Sequence, residues 1–261
     1  MTIVRHELRQ GRTAFLIWCG CIAALLGICI FLFPEMKEEM DTVSEMFASM
    51  GAFTAAFGMD KLNFGTLTGY YAIECGNVLG LGGAFYAAII ATDILSKEER
   101  MHTAGFLLTH PLGRVRVMTE KLLSVLIRIV LLNLLIYGIS VLSMAAVGEV
   151  IPWKEVNLLH LAYFLMQLEL AGICFGISAF LRRGSVSIGL GIAVLMYFMN
   201  LIANITESAK DLKCLTPFGF CDGALIAAEG KLDGVVLAAG MALGAFGILA
   251  AYLKYPKKDI A

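Results

Sequence analysis

The sequence contains few charged residues for its length. Only 16% of its 261 residues are Asp, Glu, Lys or Arg, whereas soluble domains average about 25%. Apolar residues reach 59%, compared with about 45–50% in soluble domains. The formal net charge is −1, so the chain has no basic excess of the kind that nucleic-acid binding requires. These values exclude a soluble domain and argue against a nucleic-acid-binding protein.

The motifs of common enzyme classes are missing as well. The phosphate-binding loop GxxxxGK[ST] does not occur, so any ATP hydrolysis has to come from another chain. The four histidines are scattered without the spacing of a metal site, and the sequence has neither a nucleophile elbow nor a zincin helix. We therefore expect no metal or cofactor bound by this chain and no enzymatic activity of its own.

The seven cysteines contain no CxxC pair. Five of them lie in apolar segments, where a thiol behaves as a small hydrophobic group. The other two, Cys214 and Cys221, share one loop. Spacing alone leaves both states of this pair open, a disulfide in an oxidising compartment or two free thiols.

Long apolar runs dominate what the sequence does contain. Six runs are long enough for a helix to cross a bilayer, and they lie at residues 13–33, 69–92, 122–147, 158–181, 185–205 and 234–253. The first run is too long for a cleaved signal peptide, and Pro34 and Glu35 follow it instead of a small-residue cleavage site. The sequence thus predicts an all-α integral membrane protein with a single transmembrane domain over residues 1–261.

Lysine and arginine are unevenly distributed around these runs. If the N-terminus lies inside, fourteen of the twenty basic residues fall in inner segments. The other six lie in the outer loops: Lys37, Lys61, Lys154, Lys210, Lys213 and Lys231. The positive-inside rule therefore predicts that both termini are cytoplasmic. Residues 1–12 alternate arginines with apolar residues, which predicts a short amphipathic helix on the inner membrane surface.

A charged segment of residues 96–123 separates the second and third runs. Its charged residues include Glu98, Glu99, Arg100 and Arg114, which flank an apolar patch at residues 104–108. Acidic residues favour the start of a helix, and Pro111 disfavours helix at the residue before it. The pattern predicts two short helices around a turn at residues 110–113. A loop with its own helices and exposed apolar residues indicates a docking surface on the cytoplasmic side.

Two carboxylates, Glu74 and Glu169, fall inside the apolar runs. An ionisable group is costly there and is a candidate functional site. Glu169 lies near the middle of its run, and Glu74 lies in the outer third of its own. Two interpretations are open. The carboxylates line a substrate path or take up protons, or they are hydrogen-bonded or protonated packing residues, with Glu74 reaching the outer interface.

Pairs of glycines four residues apart occur in three of the runs: Gly76/Gly80, Gly172/Gly176 and Gly240/Gly244. Small residues at this spacing let membrane helices approach closely. We expect these pairs to mark helix contacts in a compact bundle.

The order of these features resembles that of ABC-2-type transporter permeases. The cytoplasmic loop of that family is matched by Glu98-Glu99, Pro111, Arg114 and Lys121, although its Gly-Thr is altered here to Thr103-Ala-Gly105. The resemblance extends to the basic N-terminal segment, the six runs, Thr216-Pro-Phe218 and the terminal residues 255–260. It covers nearly the whole chain.

The resemblance implies the transmembrane subunit of an ABC exporter in a bacterial plasma membrane. Two permease halves, identical or related, would pair with two copies of a separately encoded ATPase that binds ATP and Mg. The N-terminal segment would be the connecting helix, and the loop would hold the coupling helix. The apolar residues of the loop would enter a groove of the ATPase, namely Ala104, Phe106, Leu107 and Leu108. Its charged residues would fix the register of this contact, namely Glu98, Glu99, Arg100 and Arg114.

The expected substrate is hydrophobic, amphipathic or peptidic. Two other functions remain open at this point. One is an ion-gradient-driven transporter that uses Glu74 and Glu169. The other is a non-transporting membrane partner, such as a sensor or immunity protein that recruits an ATPase.

Overall fold

The computed structural model of the protein describes residues 2–38, 51, 54, 62, 65–101, 113–182 and 186–258. These residues form helices joined by turns and short loops, and no strand occurs among them. Six of the helices are long and apolar enough to cross a membrane. The predicted all-α fold with six membrane-spanning helices is therefore confirmed.

The helices follow one another with short connections in the described parts of the chain. In order they are α1 (Thr2–Gln10), α2 (Arg12–Glu38), α3 (Leu67–Asp93), α4 (Lys97–Arg100), α5 (Arg114–Val147), α6 (Trp153–Phe180), α7 (Val186–Ile205), α8 (Gly223–Glu229) and α9 (Gly234–Lys254). Short 3-10 helices cover Glu207–Leu215 and Tyr255–Lys257. The membrane-spanning candidates are α2, α3, α5, α6, α7 and α9.

Helix α5 is longer than the apolar run that predicts it. Its 34 residues begin at Arg114, eight positions before the predicted start of the third span, and extend over about 51 Å. Arg, Glu and Lys are good helix formers, so a charged stretch can continue a helix beyond its apolar part. The prediction of a second short helix in the loop is therefore wrong. Its residues from Arg114 onward are the first turns of α5.

Helix α2 also continues beyond its predicted end. It passes through Pro34, the first residue after the predicted run of residues 13–33, and continues to Glu38. Proline removes a single backbone hydrogen bond near the end of a helix, so the loss is small there. Packing holds this end in place, because Phe33 is fully buried against Tyr70, whose hydroxyl donates to the Cys29 carbonyl at 3.0 Å.

Helix α6 is the most enclosed of the six and packs most extensively against α9. A Cβ atom added to Gly172 would lie 2.5 Å from the Gly244 carbonyl oxygen, and one added to Gly176 would lie 2.6 Å from that of Gly247. The two helices thus meet backbone to backbone. The predicted glycine pairs Gly172/Gly176 and Gly240/Gly244 do mark this helix contact.

The chain between α7 and α9 folds back into the bundle. Cys221 is buried, its thiol donates to the Ala162 carbonyl at 3.3 Å, and its own carbonyl accepts from the Tyr163 hydroxyl at 3.4 Å. Cys214 is exposed, and both cysteines are free thiols, so no disulfide joins them. Asp222 then caps α8 by accepting from the backbone N–H of Ala224 at 3.1 Å.

Candidate functional site

The charged segment after α3 is fastened to the bundle through a buried lysine. Lys121 lies in the second turn of α5, and its side chain is fully buried. The ammonium group binds the carboxylates of Glu98 on α4 and Glu7 on α1, the latter at 3.1 Å. It also donates to the carbonyl of Ile94 at 2.7 Å. One cation therefore joins three helices and the turn after α3.

Glu7 is the centre of this network on the side of α1. Its carboxylate is 2% exposed and binds Lys97 as well as Lys121. Burial alone would raise the pKa of Glu7, but the two ammonium groups outweigh it and hold the pKa below its ordinary value of 4.5. Glu7 is therefore ionised at neutral pH, and the ions Glu7, Lys97, Lys121 and Glu98 form a charge-balanced cluster.

A second ion pair brings the end of the chain to the same place. Lys258 binds Glu99 of α4 at 2.5 Å and donates to the Leu181 carbonyl at 2.6 Å. Arg114 donates to the carbonyls of Lys258 at 2.6 Å and Pro256 at 3.2 Å. The residues after α9 are thus held between α4, the start of α5 and the end of α6.

The N-terminal helix is held by the same part of α5. Glu120 accepts hydrogen bonds from the backbone N–H groups of Ile3 at 3.0 Å and Val4 at 3.4 Å, which have no partner within α1. The side chains of Ile3 and Val4 are buried, whereas Arg5 and Arg9 are exposed. The amphipathic helix predicted for this segment is present, with its apolar face packed on α5.

We call this part of the bundle the basic end, namely α1, α4, the first turns of α5 and the residues after α9. It contains all four charged residues that were predicted for docking. Glu98, Glu99 and Arg114 bind groups of the same chain, as described above. Arg100 is 38% exposed and pairs with Asp93 at 2.6 Å.

The apolar part of the predicted docking surface lies outside the described residues. This holds for Ala104, Phe106, Leu107, Leu108 and Pro111. Their contact with an ATPase stays a prediction, as does that of the four charged residues. The predicted cytoplasmic position of the basic end is likewise a prediction from the distribution of lysine and arginine.

Glu169 lies deep in the bundle, at the contact between α6 and α9. It is 1% exposed, and neither carboxylate oxygen has a hydrogen-bond partner among the described residues. A Cβ atom on Gly240 of α9 would lie 3.0 Å from the Oε1 atom of Glu169, so the glycine makes room for the carboxylate. Gln167, its neighbour in sequence, faces away from it and accepts from the Asn133 amide at 2.7 Å.

Glu74 lies in a different neighbourhood. It is half-buried and within hydrogen-bonding reach of the Cys29 thiol on α2. The next turn of α3, Gly76–Gly80, is a π-helical turn that packs on the Tyr163 ring. The structure thus keeps Glu74 beside α2 and Glu169 beside α9, so the two carboxylates do not form one site.

Comparison with known families decides the class of protein. Residues 1–214 match the family model described as ABC-2 family transporter protein. The chain belongs to the ABC-2 transporter family. The matched residues run from α1 to the 3-10 helix after α7 and include the basic end apart from its C-terminal part. Comparison with curated proteins gives no match.

Membership of the ABC-2 family makes this chain a permease of an ABC transporter, a transport subunit that is not itself an enzyme. The six apolar helices agree with this and give a multi-pass membrane protein. Among the residues that the structure describes, no three His, Cys, Asp or Glu side chains come together as a metal site.

Sequence reasoning missed part of the permease's basic end. Glu7 and Lys258 were not singled out, although they come from opposite ends of the chain and both take part in its ion pairs. Glu7 binds Lys121, and Lys258 binds Glu99. One signal was available for Glu7. It is the only acidic residue in a basic segment, and it lies on the same helix face as Ile3 and Val4, at the spacing of one turn.

Proposed function

We propose that this ABC-2 permease is driven by a separately encoded ABC ATPase that docks on the loop of residues 96–123. Two copies of the ATPase, each binding ATP and Mg, would serve two permease halves, identical or related. The family match supports this assembly. The observation that carries the proposal is the buried attachment of both acidic residues at the start of the loop, Glu98 to Lys121 and Glu99 to Lys258.

This attachment provides a route for force. Closure of the ATPase dimer would move the docked loop, and the buried ion pairs would carry α4 with α1, α5 and the end of α9. Buried pairs suit this task, because separating their charges in a low-dielectric interior is costly. The movement drives transport only if the ATPase binds the inward-open and outward-open states with different affinity.

The docking contacts divide into two kinds. The apolar residues Ala104, Phe106, Leu107 and Leu108 enter the groove of the ATPase, and Pro111 ends the segment. Of the four charged residues assigned to docking, Arg100 is the most available to a partner, since over a third of its side chain is exposed. Glu98, Glu99 and Arg114 set the register of the loop through their bonds to the bundle.

The test replaces Phe106 by Asp, which places a charge in the apolar contact. We expect Phe106→Asp to lose the ATPase during purification while its membrane insertion remains normal. Val150→Asp is the matched control, because Val150 is 89% exposed in the loop between α5 and α6, at the opposite end of α5 from the basic end. Equal retention of the ATPase by both variants would contradict the docking assignment.

We further propose that the permease exports a hydrophobic, amphipathic or peptidic substrate across a bacterial plasma membrane. The described interior of the bundle is mainly apolar, with Glu169, Gln167 and Asn133 among its few buried polar side chains. Such an interior fits substrates with a large apolar surface. Transport into inside-out vesicles that requires ATP would support export.

A second candidate is a carrier driven by an ion gradient, which the unpartnered carboxylate of Glu169 favours. Transport that stops when the gradient is collapsed and continues without ATP would support the carrier. Retention of the ATPase without transport of any substrate would instead indicate a non-transporting membrane partner. ATP-dependent transport in the absence of a gradient excludes both.

A further inference from the structure

One arginine buried next to the basic end forms no ion pair with any carboxylate in the described part of the chain. The ammonium groups of Lys97 and Lys121 share Glu7 and Glu98, and Arg100 pairs with Asp93. Arg128 of α5 is only 7% exposed, yet it forms no ion pair with any described carboxylate. Glu7, Glu98 and Asp93 balance Lys97, Lys121 and Arg100, so the buried charge of Arg128 is left without a counter-ion among these groups.

The guanidinium group of Arg128 is only partly satisfied. One of its terminal nitrogens donates to the Glu7 carbonyl, near the end of α1. Its Nε atom has no hydrogen-bond partner within the described part of the chain, and the same is true of the Tyr86 hydroxyl, which interacts electrostatically with Arg128. A buried cation without a counter-ion and a buried hydroxyl without a hydrogen-bond partner are both unfavourable, and an anionic group bound beside Arg128 would compensate the charge.

The guanidinium lies beside a cleft of about 210 Å³. Three cations line its polar side, Lys97, Arg100 and Arg128, with Asp93 also present as the partner of Arg100. Isoleucines of α3 line the apolar side, including Ile89 and Ile90. One water molecule occupies about 30 Å³ in the liquid, so the cleft has room for a hydrated phosphate group.

The depth of the cleft matches the headgroup layer. About 29 Å of helix separates Arg128 from Val147 at the other end of α5, at 1.5 Å per residue. The hydrocarbon core of a bilayer is about 30 Å thick. If Val147 lies at one edge of the core, Arg128 lies at the other edge, where lipid phosphates are found. A basic pocket between membrane helices at this depth is suited to anionic lipid.

We infer that the cleft between α1, α3 and α5 binds the phosphate group of an anionic phospholipid, with Arg128 as its main ligand. Lys97 and Arg100 flank the phosphate, and the isoleucines of α3 contact the first carbons of an acyl chain. Lys97 and Arg100 also belong to the loop proposed for ATPase docking, but Arg128 lies outside it. A test at Arg128 therefore distinguishes failure of the lipid site from failure of the proposed function.

Gly11 is part of the same arrangement. It joins α1 to α2, and a Cβ atom there would lie 2.5 Å from Cζ and 2.7 Å from Nη1 of Arg128. Alanine at this position would push the guanidinium away from the junction while leaving the charge of the protein unchanged. It therefore provides a second variant that alters the position of Arg128 without removing it.

The test is native mass spectrometry of the purified full chain in micelles that contain graded amounts of phosphatidylglycerol or phosphatidylcholine. We expect the wild type to retain one phosphatidylglycerol in preference to phosphatidylcholine. The affinity for phosphatidylglycerol should fall about tenfold in Arg128→Gln. Arg9→Gln is the control, because it removes an exposed cation from the same end of the bundle and should bind as the wild type does.

Gly11→Ala keeps the proposal testable if Arg128→Gln does not fold, and it too should bind phosphatidylglycerol more weakly than the wild type. Equal retention by the wild type and the folded variant would overturn the assignment, and so would equal retention of the two lipids by the wild type. Complete displacement of the lipid by millimolar inorganic phosphate would overturn the lipid assignment and show a site for a soluble anion.

Discussion

Replacing Lys121 by methionine tests most directly whether the buried ion pairs hold the helices of the basic end together. Methionine keeps the unbranched shape and much of the volume but removes the charge that Glu7 and Glu98 share at full burial. Breaking a buried ion pair by deleting one partner costs about 3–5 kcal/mol, because a buried charge is left without compensation. Glu7 keeps Lys97 as a partner, so the charge left over in this cluster is that of Glu98. We expect Lys121→Met to lose free energy of unfolding in this range, which would loosen α1 and α4 from α5.

The measurement is equilibrium unfolding in mixed micelles. Lys231→Met serves as the control, because its ion pair with Glu229 is exposed and such pairs contribute about 0–1 kcal/mol. A double variant, Lys121→Met with Glu98→Gln, removes the uncompensated charge as well. Its loss of stability should be smaller than the sum of the two single losses by about 0.5–3 kcal/mol. If Lys121→Met and Lys231→Met lose the same amount, the buried network does not hold the basic end together.

Two further predictions concern carboxylates. The stabilising contribution of Glu7 is complete above its ordinary pKa of 4.5 and is lost as the pH falls through its lowered folded-state pKa. The difference in free energy of unfolding between the wild type and Glu7→Gln should therefore shrink in acid. A difference that stays constant from pH 7 to pH 3 would contradict this. Glu169→Gln should abolish transport if the carboxylate lines the path or takes up protons, whereas wild-type transport by this variant would leave Glu169 a packing residue.

Composition and periodicity predicted the helices but only approximately where they end. An apolar run marks the part of a helix that lies in the membrane, whereas hydrogen bonding and helix propensity decide its full length. Helix α5 therefore starts at Arg114, within charged sequence, and α2 runs through Pro34 to Glu38. The π-helical turn at Gly76–Gly80 has no signal that distinguishes it from an ordinary glycine pair.

The site was predictable in part, because its residues come from distant parts of the chain. Glu98 and Glu99 stand out as paired acids in a charged loop, but sequence does not reveal that Lys121 and Lys258 bind them. That Arg128 has no ion pair with a described carboxylate is equally invisible in the sequence, because it depends on which cation each neighbouring carboxylate binds. Pairing across the bundle is a property of the tertiary packing.

The central claim is that this chain is a transporter subunit that works with a separate ATPase. The most direct test is purification of the tagged chain from its native host in mild detergent, with its companions identified by mass. We predict an ATPase that carries GxxxxGK[ST], in about one-to-one ratio with total permease, and the same experiment shows whether the second permease half is identical or related. Repeated recovery of the intact chain without any ATPase would contradict the account.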